Sequence, residues 1–141
     1  MPDYYRPGQA LPRVGAPGAM SLLDTNRPVH GAVCLRIKAP PRRYNRLLAY
    51  LAPQVRTPTP YVYSVYLRAE QEDTRVRLLW GWPSTWSTNV SVGTEWQRYS
   101  VSGMVQPELS EFNVFGLCNH GTVWIDAIQV EQGTEPTPFE P

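Results

Sequence analysis

Acidic side chains and histidines are the residues of this chain best suited to chemistry, and their spacing does not build a catalytic site. Two carboxylates that flank a glycosidic bond can hydrolyse it, and Glu70, Glu72 and Asp73 are close in sequence. They separate two predicted strands, where a solvated hairpin turn is the simpler interpretation. His30 and His120 each stand beside a glycine in a predicted turn. The sequence contains no nucleophile elbow, phosphate-binding glycine loop or His-Glu-x-x-His motif, so we predict that the protein is not an enzyme.

Aromatic side chains offer a different chemistry, because sugars stack their apolar C–H faces on aromatic rings. The chain has 5 tryptophans and 8 tyrosines, which is more than a small core requires. Tyr66 shares one face of a predicted strand with Ser64 and Arg68. Trp82 and Trp86 flank a Pro-Ser-Thr loop that could present them. The candidate glycan-binding residues are therefore Tyr66, Arg68, Trp82 and Trp86. Packing in the core or between subunits is the alternative role for the three aromatic rings.

Basic and acidic residues are unevenly distributed, although the net charge is only +1. Residues 1–68 hold ten of the 13 basic residues and two of the 12 acidic ones. The acid-free basic run over 36–46 could contact phosphates, but a near-neutral chain without a nucleic-acid-binding motif predicts no nucleic-acid partner. An acidic protein surface is the favoured partner, because arginine forms fixed bidentate pairs with carboxylates.

Membrane and export signals are not found in the sequence. No stretch approaches the roughly 20 apolar residues of a membrane span, and the N-terminal residues lack the apolar core of a signal peptide. We therefore predict no membrane association. Cys34 and Cys118 fit neither a disulfide framework nor a metal motif. Two free thiols are the favoured interpretation, and whether the two cysteines pair stays open.

Proline-rich segments occupy both ends of the chain. In residues 1–18 a proline recurs every five positions with glycines between them, so this segment is predicted to run extended as an arm. Residues 134–141 have the same character and form a predicted tail. We expect the arm to lie on a neighbouring subunit of an assembly, such as a homo-oligomer, with its arginines against acidic surface. The anchoring residues would be Tyr4, Tyr5, Arg6, Leu11 and Arg13 of the arm and Phe139 of the tail.

The central residues 19–133 alternate between apolar and polar side chains with a period of two. The clearest runs cover 32–38, 61–69, 73–82, 96–102, 111–118 and 123–130, with 44–51 and 86–92 as further strands. About eight short strands separated by Gly, Pro, Asn and Asp are typical of an antiparallel sandwich. The predicted fold is therefore all-β, an antiparallel β-sandwich (jelly roll) with extended proline-rich N- and C-terminal arms. Tyr61, Tyr63, Val65 and Leu67 should face its core together with Val76 and Leu78.

Four segments of the chain resemble a known family. HGAVCLRI (30–37), TPYVYSVYLRAE (59–70), VGTEWQRYSVSG (92–103) and GTVWIDAIQVEQG (121–133) are similar, in this order, to the jelly-roll carbohydrate-binding modules of the xylan- and glucan-binding (four–nine) type. The resemblance implies a non-catalytic module that recognises a polysaccharide of the β-glucan or xylan type. It also implies a structural calcium near Asp126, although the family's Gly-Phe-Glu opening segment is replaced by GAMSLLD (18–24) and Ala127 stands where a second acid is usual.

The C-terminal phrase IQVEQGTEPTPFEP is similar to the ends of jelly-roll modules in bacteriophage tail and capsid-surface proteins. Our main hypothesis from the sequence is therefore a non-enzymatic structural accessory subunit of a phage particle, on the head or tail, that is attached through its arms and located in the virion. The alternative is a carbohydrate-binding module that belongs to a secreted protein and acts outside the cell. Both hypotheses need no cofactor beyond the calcium.

Overall fold

The computed structural model of the chain describes residues 3–5, 13–14, 20–24, 29, 34–39, 45–50, 55–80, 86–107 and 114–139. Within these ranges the chain forms eleven β-strands: β1 Asp3–Tyr5, β2 Arg13–Val14, β3 Met20–Asp24, β4 Cys34–Lys38, β5 Asn45–Tyr50, β6 Thr59–Ala69, β7 Thr74–Trp80, β8 Trp86–Val92, β9 Gln97–Val105, β10 Val114–Asn119 and β11 Thr122–Gln132.

The strands build two antiparallel sheets. Sheet A has the order β3-β4-β11-β6-β9, with β1 also paired to β11, and sheet B has the order β2-β5-β10-β7-β8. The predicted all-β jelly-roll sandwich is confirmed. The described residues include no α-helix, and hence no helix long and apolar enough to cross a membrane.

The core lies between the two sheets and is built from the alternating residues of their strands. Tyr63, Val65 and Leu67 of β6 contribute to it from sheet A, and Val76 and Leu78 of β7 from sheet B, and all five side chains are buried. Tyr61 is partly buried against the same cluster. The inward facing that the sequence predicts for these two strands is therefore confirmed.

At one end of the sandwich, main-chain hydrogen bonds join several of the segments through which the chain passes from one sheet to the other. The segments β4–β5, β6–β7, β8–β9 and β10–β11 each connect different sheets. At this end main-chain hydrogen bonds join Ala69 N to Gly93 O (2.8 Å), Glu70 N to Thr122 O (3.0 Å) and Ala39 N to Gly121 O (2.9 Å). Because neighbouring crossings bond to each other, the strand ends here are held in fixed relative positions.

A carboxylate in the β6–β7 turn ties two of these crossings together. Oε1 of Glu72 accepts hydrogen bonds from the Thr94 hydroxyl (2.7 Å) and the Thr94 backbone N–H (3.1 Å). These two bonds lower the pKa of Glu72 below its usual value. A Cβ on Gly93 would lie 2.7 Å from the other Glu72 carboxylate oxygen, so glycine gives that carboxylate room. The turn, predicted as a solvated loop, is exposed. Its Glu72 carboxylate also has a structural role, because it holds Thr94 of the next crossing.

The strand β11 contains a bulge in its middle. Asp126 lies opposite Tyr66 and Gln129 lies opposite Ser64, so β11 has one residue more than β6 over this stretch. Ala127 adopts a left-handed φ of 51° at the bulge. The extra residue shifts the alternation by one, and both halves of the strand therefore reach the core through Val123, Ile125, Ile128 and Val130.

Five residues of the proline-rich arm pair with strands of their own chain. In β1, Tyr4 and Tyr5 lie opposite Gln129 and Ile128 of β11, beyond the point where β4 stops pairing with that strand. Strand β1 therefore pairs with the later part of β11, on the same side of β11 on which β4 pairs with the earlier part.

The other arm strand, β2, pairs with β5 and forms an edge of sheet B, with Arg13 opposite Leu48. An edge is where a proline-flanked strand is tolerated. Arg6 and Leu11 lie outside the described residues, and contact of the arm with a neighbouring subunit stays a prediction.

The C-terminal tail returns onto the outer face of β11. The Thr137 hydroxyl donates to Oε1 of Glu131 (2.7 Å), and the Thr137 backbone N–H donates to both Glu131 oxygens (3.2 Å each). The buried Gln129 amide donates to the Glu131 carboxylate and to the Thr137 hydroxyl (3.3 Å). The tail is therefore held by its own domain up to Thr137, and Phe139 beyond it is half-buried.

Candidate functional site

A groove of about 610 Å³ lies on the outer face of sheet B. It crosses three adjacent strands, β10, β7 and β8, which together span about 10 Å. The lining residues within the described ranges are Arg75, Val76, Arg77, Asn89, Val90, Ser91, Cys118 and His120. Since the strands on both sides are main-chain paired, these side chains project from a rigid surface.

The alternation of β7 places two arginines in the groove. Arg75 and Arg77 are exposed, whereas Val76 and Leu78 are buried. Successive side chains of a strand point to opposite faces, so packing of the two apolar residues in the core directs both arginines outward. This outward facing follows from the inward facing that the sequence predicts for Val76 and Leu78.

Polar side chains of the flanking strands lie beside these arginines. Cys118 of β10 and Asn89 of β8 are both opposite Arg77 in the register. Ser91 of β8 is opposite Arg75. Directly opposed residues of an antiparallel pair share a face, and Asn89 and Ser91 are exposed. The groove therefore presents amide, hydroxyl and guanidinium groups side by side.

Arg77 is oriented by a hydroxyl. Its Nε and Nη2 atoms both donate to Oγ of Ser87, at 3.2 and 3.0 Å. Ser87 lies two residues before Asn89 on the outer face of β8. The hydroxyl fixes the plane of the guanidinium without neutralising it. Within the described part of the chain neither Arg75 nor Arg77 has a carboxylate partner.

The end of the groove is formed by the crossing from β10 to β11. The backbone N–H of His120 donates to the carbonyl of Arg75 (3.1 Å), which holds this crossing against β7. Gly121 follows with a φ of 66°, a conformation that side-chain-bearing residues rarely adopt. The turn thereby keeps the exposed His120 at the groove margin.

The groove can bind an extended polar ligand through many hydrogen bonds. Guanidinium and amide N–H groups donate, and the Asn89 carbonyl and Ser91 hydroxyl accept. None of the lining residues is a carboxylate, so the described lining does not supply the acid pair that most glycoside hydrolysis uses. The arrangement favours recognition of a polyhydroxylated chain.

Two of the candidate glycan-binding residues, Tyr66 and Arg68, lie on the other sheet. Arg68 is only 5% exposed, and its guanidinium stacks over the ring of Trp124 at 3.9 Å and faces that of Trp96 at 5.2 Å. Arg98 lies over the half-buried Tyr66 ring at 5.9 Å. These contacts form a layer of alternating cations and rings on the outer face of sheet A.

Trp86 and Tyr66, which the sequence analysis groups as glycan-binding residues, do not share a sheet. Trp86 begins β8 of sheet B, opposite Trp80 in the register. The chain crosses between sheets after β6, and this separates the Tyr66 strand from the Trp86 strand. Trp82 lies outside the described residues. Participation of these four residues in glycan binding stays a prediction.

Asp126 has a clear structural role beside the bulge. Its buried carboxylate accepts a hydrogen bond from Val29 N (2.7 Å) and another from Ala127 N (2.8 Å). Each oxygen is thus engaged by a main-chain donor. Among the described residues there is no group of three His, Cys, Asp or Glu side chains that could hold a metal ion. The calcium implied by the family resemblance stays a prediction.

Cys34 and Cys118 form no disulfide and lie on opposite outer faces. Cys34 is buried on β4 of sheet A, and Cys118 is half-buried in the groove of sheet B. The sandwich core separates the two strands that carry them.

Sequence reasoning did not single out Arg75, Arg77, Asn89, Ser91 or His120 as binding residues. The signal for Asn89 and Ser91 is the polar alternation of WSTNVSV (86–92), which gives β8 a hydroxyl-and-amide face. That face can be identified as part of a binding groove only when β8 is known to lie beside the arginines of β7.

Solved structures with the same fold are carbohydrate-binding modules in several cases. The CBM22-1 xylan-binding domain of Paenibacillus barcinonensis Xyn10C aligns with a TM-score of 0.65 and 11% identity over 96% of this chain and 95% of that one. The family 11 carbohydrate-binding module of cellulase Lic26A-Cel5E from Clostridium thermocellum aligns with a TM-score of 0.61 and 8% identity over 96% and 97%. The resemblance inferred from the sequence is confirmed for the fold.

A phage protein shares the fold as well. The enzymatically active domain of tailspike protein 4 of bacteriophage CBA120 aligns with a TM-score of 0.57 and 10% identity over 94% of this chain and 19% of that longer one. No family model matches the sequence, and no curated protein sequence matches it either.

Proposed function

We propose that the protein is a non-catalytic polysaccharide-binding module whose ligand lies in the groove of sheet B. The observation that carries this proposal is the groove itself, an exposed recess of about 610 Å³ walled by strand-held hydrogen-bonding side chains. Side chains that are fixed before the ligand arrives lose little freedom on binding. A hydroxyl-rich chain can therefore satisfy several of them at once.

Structural neighbours support the choice of ligand class. One neighbour is a xylan-binding domain, and another was solved with its family 22 and GH10 modules complexed with xylohexaose. Xylan and β-glucan are therefore the first neutral polymers to test. By this proposal the protein acts outside the cell or on a particle surface, where such polymers occur.

Affinity electrophoresis tests the proposal directly. The protein is run through native gels that contain xylan, β-glucan or a uronate polymer, and retardation by at least one of them is expected. Arg77→Ala should remove most of the retardation, because it deletes the central donor of the groove.

Arg56→Ala is the matched control for this experiment. Arg56 is exposed in the turn before β6 and does not line the groove, so its loss removes the same charge elsewhere. The proposal would be contradicted if no polysaccharide changed the migration of the wild type. Equal retardation of Arg77→Ala and wild type would contradict it as well.

A second candidate function is that of an accessory subunit of a phage particle. It is favoured by the fold shared with the tailspike domain of bacteriophage CBA120. The two functions are compatible, because a particle surface can carry a glycan-binding module. Sedimentation of the purified chain tests self-assembly. A stable oligomer at micromolar concentration supports the subunit hypothesis, whereas a monomer that binds polysaccharide supports only the polysaccharide-binding function.

A further inference from the structure

We infer that the groove of sheet B selects an anionic polysaccharide, one that carries carboxylates such as those of uronic acids. This inference rests on the proposed function and names the ligand class of the same site. Its basis is the pair of unneutralised guanidinium groups on β7 and the lack of aromatic rings beside them in the described lining.

The two arginines form a cationic row on one face of β7. Arg75 and Arg77 are two residues apart on one strand face, which separates their Cα atoms by about 6.6 Å. Among the lining residues that the structure describes there is no acid. A carboxylate approaches the row at one end, where Oδ1 of Asp73 accepts a hydrogen bond from Ser91 (3.2 Å). The lining beside Arg77 thus keeps its positive charge for a ligand.

The bond between Arg77 and Ser87 prepares the guanidinium for an anion. Ser87 takes up one edge of the group, through Nε and Nη2, with a neutral acceptor. The N–H groups of Nη1 and the second hydrogen of Nη2 stay free to donate to a carboxylate. Hydrogen bonds between arginine and a carboxylate are about twice as strong as neutral ones and fix the geometry of both groups.

Stacking cannot replace this charge in the described part of the groove. Apart from the His120 imidazole, none of the described lining residues carries a ring. The rings of Tyr66 and Trp124 lie on the opposite sheet, where Trp96 faces Arg68. A neutral sugar chain would cover two arginines without offering them a counter-charge, and desolvating unpaired charges is costly. A uronate chain removes this penalty.

Paired ligands that differ only in charge provide the test. Oligogalacturonates of defined length are titrated against the full chain in 50 mM NaCl, followed by the same oligomers after reduction of their carboxyl groups to alcohols. We expect the native oligomers to bind and the reduced ones to bind at least about tenfold more weakly, because one charge-assisted bond is worth roughly that factor. Affinity for the native oligomers should fall as NaCl increases.

Arg77→Gln and Arg56→Gln are compared in the same titration. Arg77→Gln should lose about tenfold for the native oligomers and little for the reduced ones, whereas Arg56→Gln should bind both as the wild type does. Melting curves of both variants show whether they are folded, and a salt-dependent loss confined to folded Arg77→Gln supports the inference.

Other outcomes overturn the inference in distinguishable ways. Equal affinity for native and reduced oligomers, or binding of neutral xylan without binding of oligogalacturonate, refutes the anionic ligand and leaves a polysaccharide-binding module. Failure of every polysaccharide, neutral or acidic, refutes the module and the inference together. Single-stranded DNA is the control for a general polyanion site. If it binds as tightly as oligogalacturonate, and if Arg77→Gln weakens both equally, the groove is not selective for uronates.

Discussion

Arg68 and Arg77 should separate stability from ligand binding, because one arginine is buried on sheet A and the other is exposed on sheet B. Replacing Arg68 by alanine removes a guanidinium that stacks over Trp124 at 3.9 Å. A desolvated cation–π contact of this kind contributes about 2 kcal/mol. Three buried methylenes of the stem add about 0.8 kcal/mol each. The predicted loss for Arg68→Ala is therefore about 4 kcal/mol of unfolding free energy, a large part of the 5–15 kcal/mol typical of a domain.

The assay pairs urea and thermal unfolding with affinity electrophoresis on the same samples. At about 4 °C per kcal/mol for a chain of this size, Arg68→Ala should melt about 15 °C below the wild type. Arg68→Met keeps an apolar stem without the charge and should lose only about 2 kcal/mol. Arg77→Ala, at an exposed position, should stay within about 0.5 kcal/mol of wild type and yet lose polysaccharide retardation. Should Arg68→Ala melt normally and abolish retardation, the ligand site would lie on sheet A with Tyr66 and the reasoning would be refuted.

Three further predictions follow from the core, the tail and the inter-sheet turn. Val65→Ala should cost about 1–3 kcal/mol through lost burial and a cavity and Arg75→Ala far less, and urea midpoints in the reverse order would contradict the observed facing. Thr137→Val should cost about 1–3 kcal/mol by depriving the buried Glu131 carboxylate of a donor and should speed proteolysis of the tail; unchanged cleavage would show that the tail needs no such bond. Glu72 has a folded-state pKa lowered from 4.5 by its bonds to Thr94, so its stabilisation is present above pH 4.5 and is lost as the pH falls below that value. Acid unfolding of Glu72→Gln should lack this component, which stability measurements between pH 6 and 3 would reveal.

The fold could be predicted from the sequence because the core-facing positions of most strands recur with a period of two. In β6 and β7 every second residue is apolar, from Tyr61 to Ala69 and from Val76 to Trp80, although Val62 and Leu79 are apolar residues at positions between them. The core facing of Val65 and Val76 follows from this alternation. In β11 the apolar pairs Val123 with Ile125 and Ile128 with Val130 are out of phase by one residue, which is the trace that the bulge leaves in the sequence. Alternation alone would assign the second pair to the wrong face.

The candidate site was less accessible, because it depends on which strands become neighbours. Tyr66 and Arg68 present a polar and aromatic face typical of a sugar site, and nothing local in β6 reveals that Trp124 and Arg98 cover it. Likewise, the arginines of β7 form a binding surface only together with Asn89 of β8, which the sheet order places beside them. Strand order is a long-range property that period-two patterns do not encode.

The two outer faces of the sandwich differ in a way that determines where a ligand can bind. On sheet A the outward side chains of Ser64, Arg68, Asp126, Gln129 and Glu131 are all buried. The returning tail covers part of this face through its bonds to Glu131, and each buried polar group needs a partner within the protein to offset its desolvation. On sheet B the outward residues of β7 and β8 around the groove are exposed and keep donors available. Among the described residues, the centre of the outer face of sheet A is therefore occupied by the protein's own polar layer, whereas β9 at its edge exposes Ser100, Ser102 and Met104. The cationic groove of sheet B keeps its donors exposed to a partner.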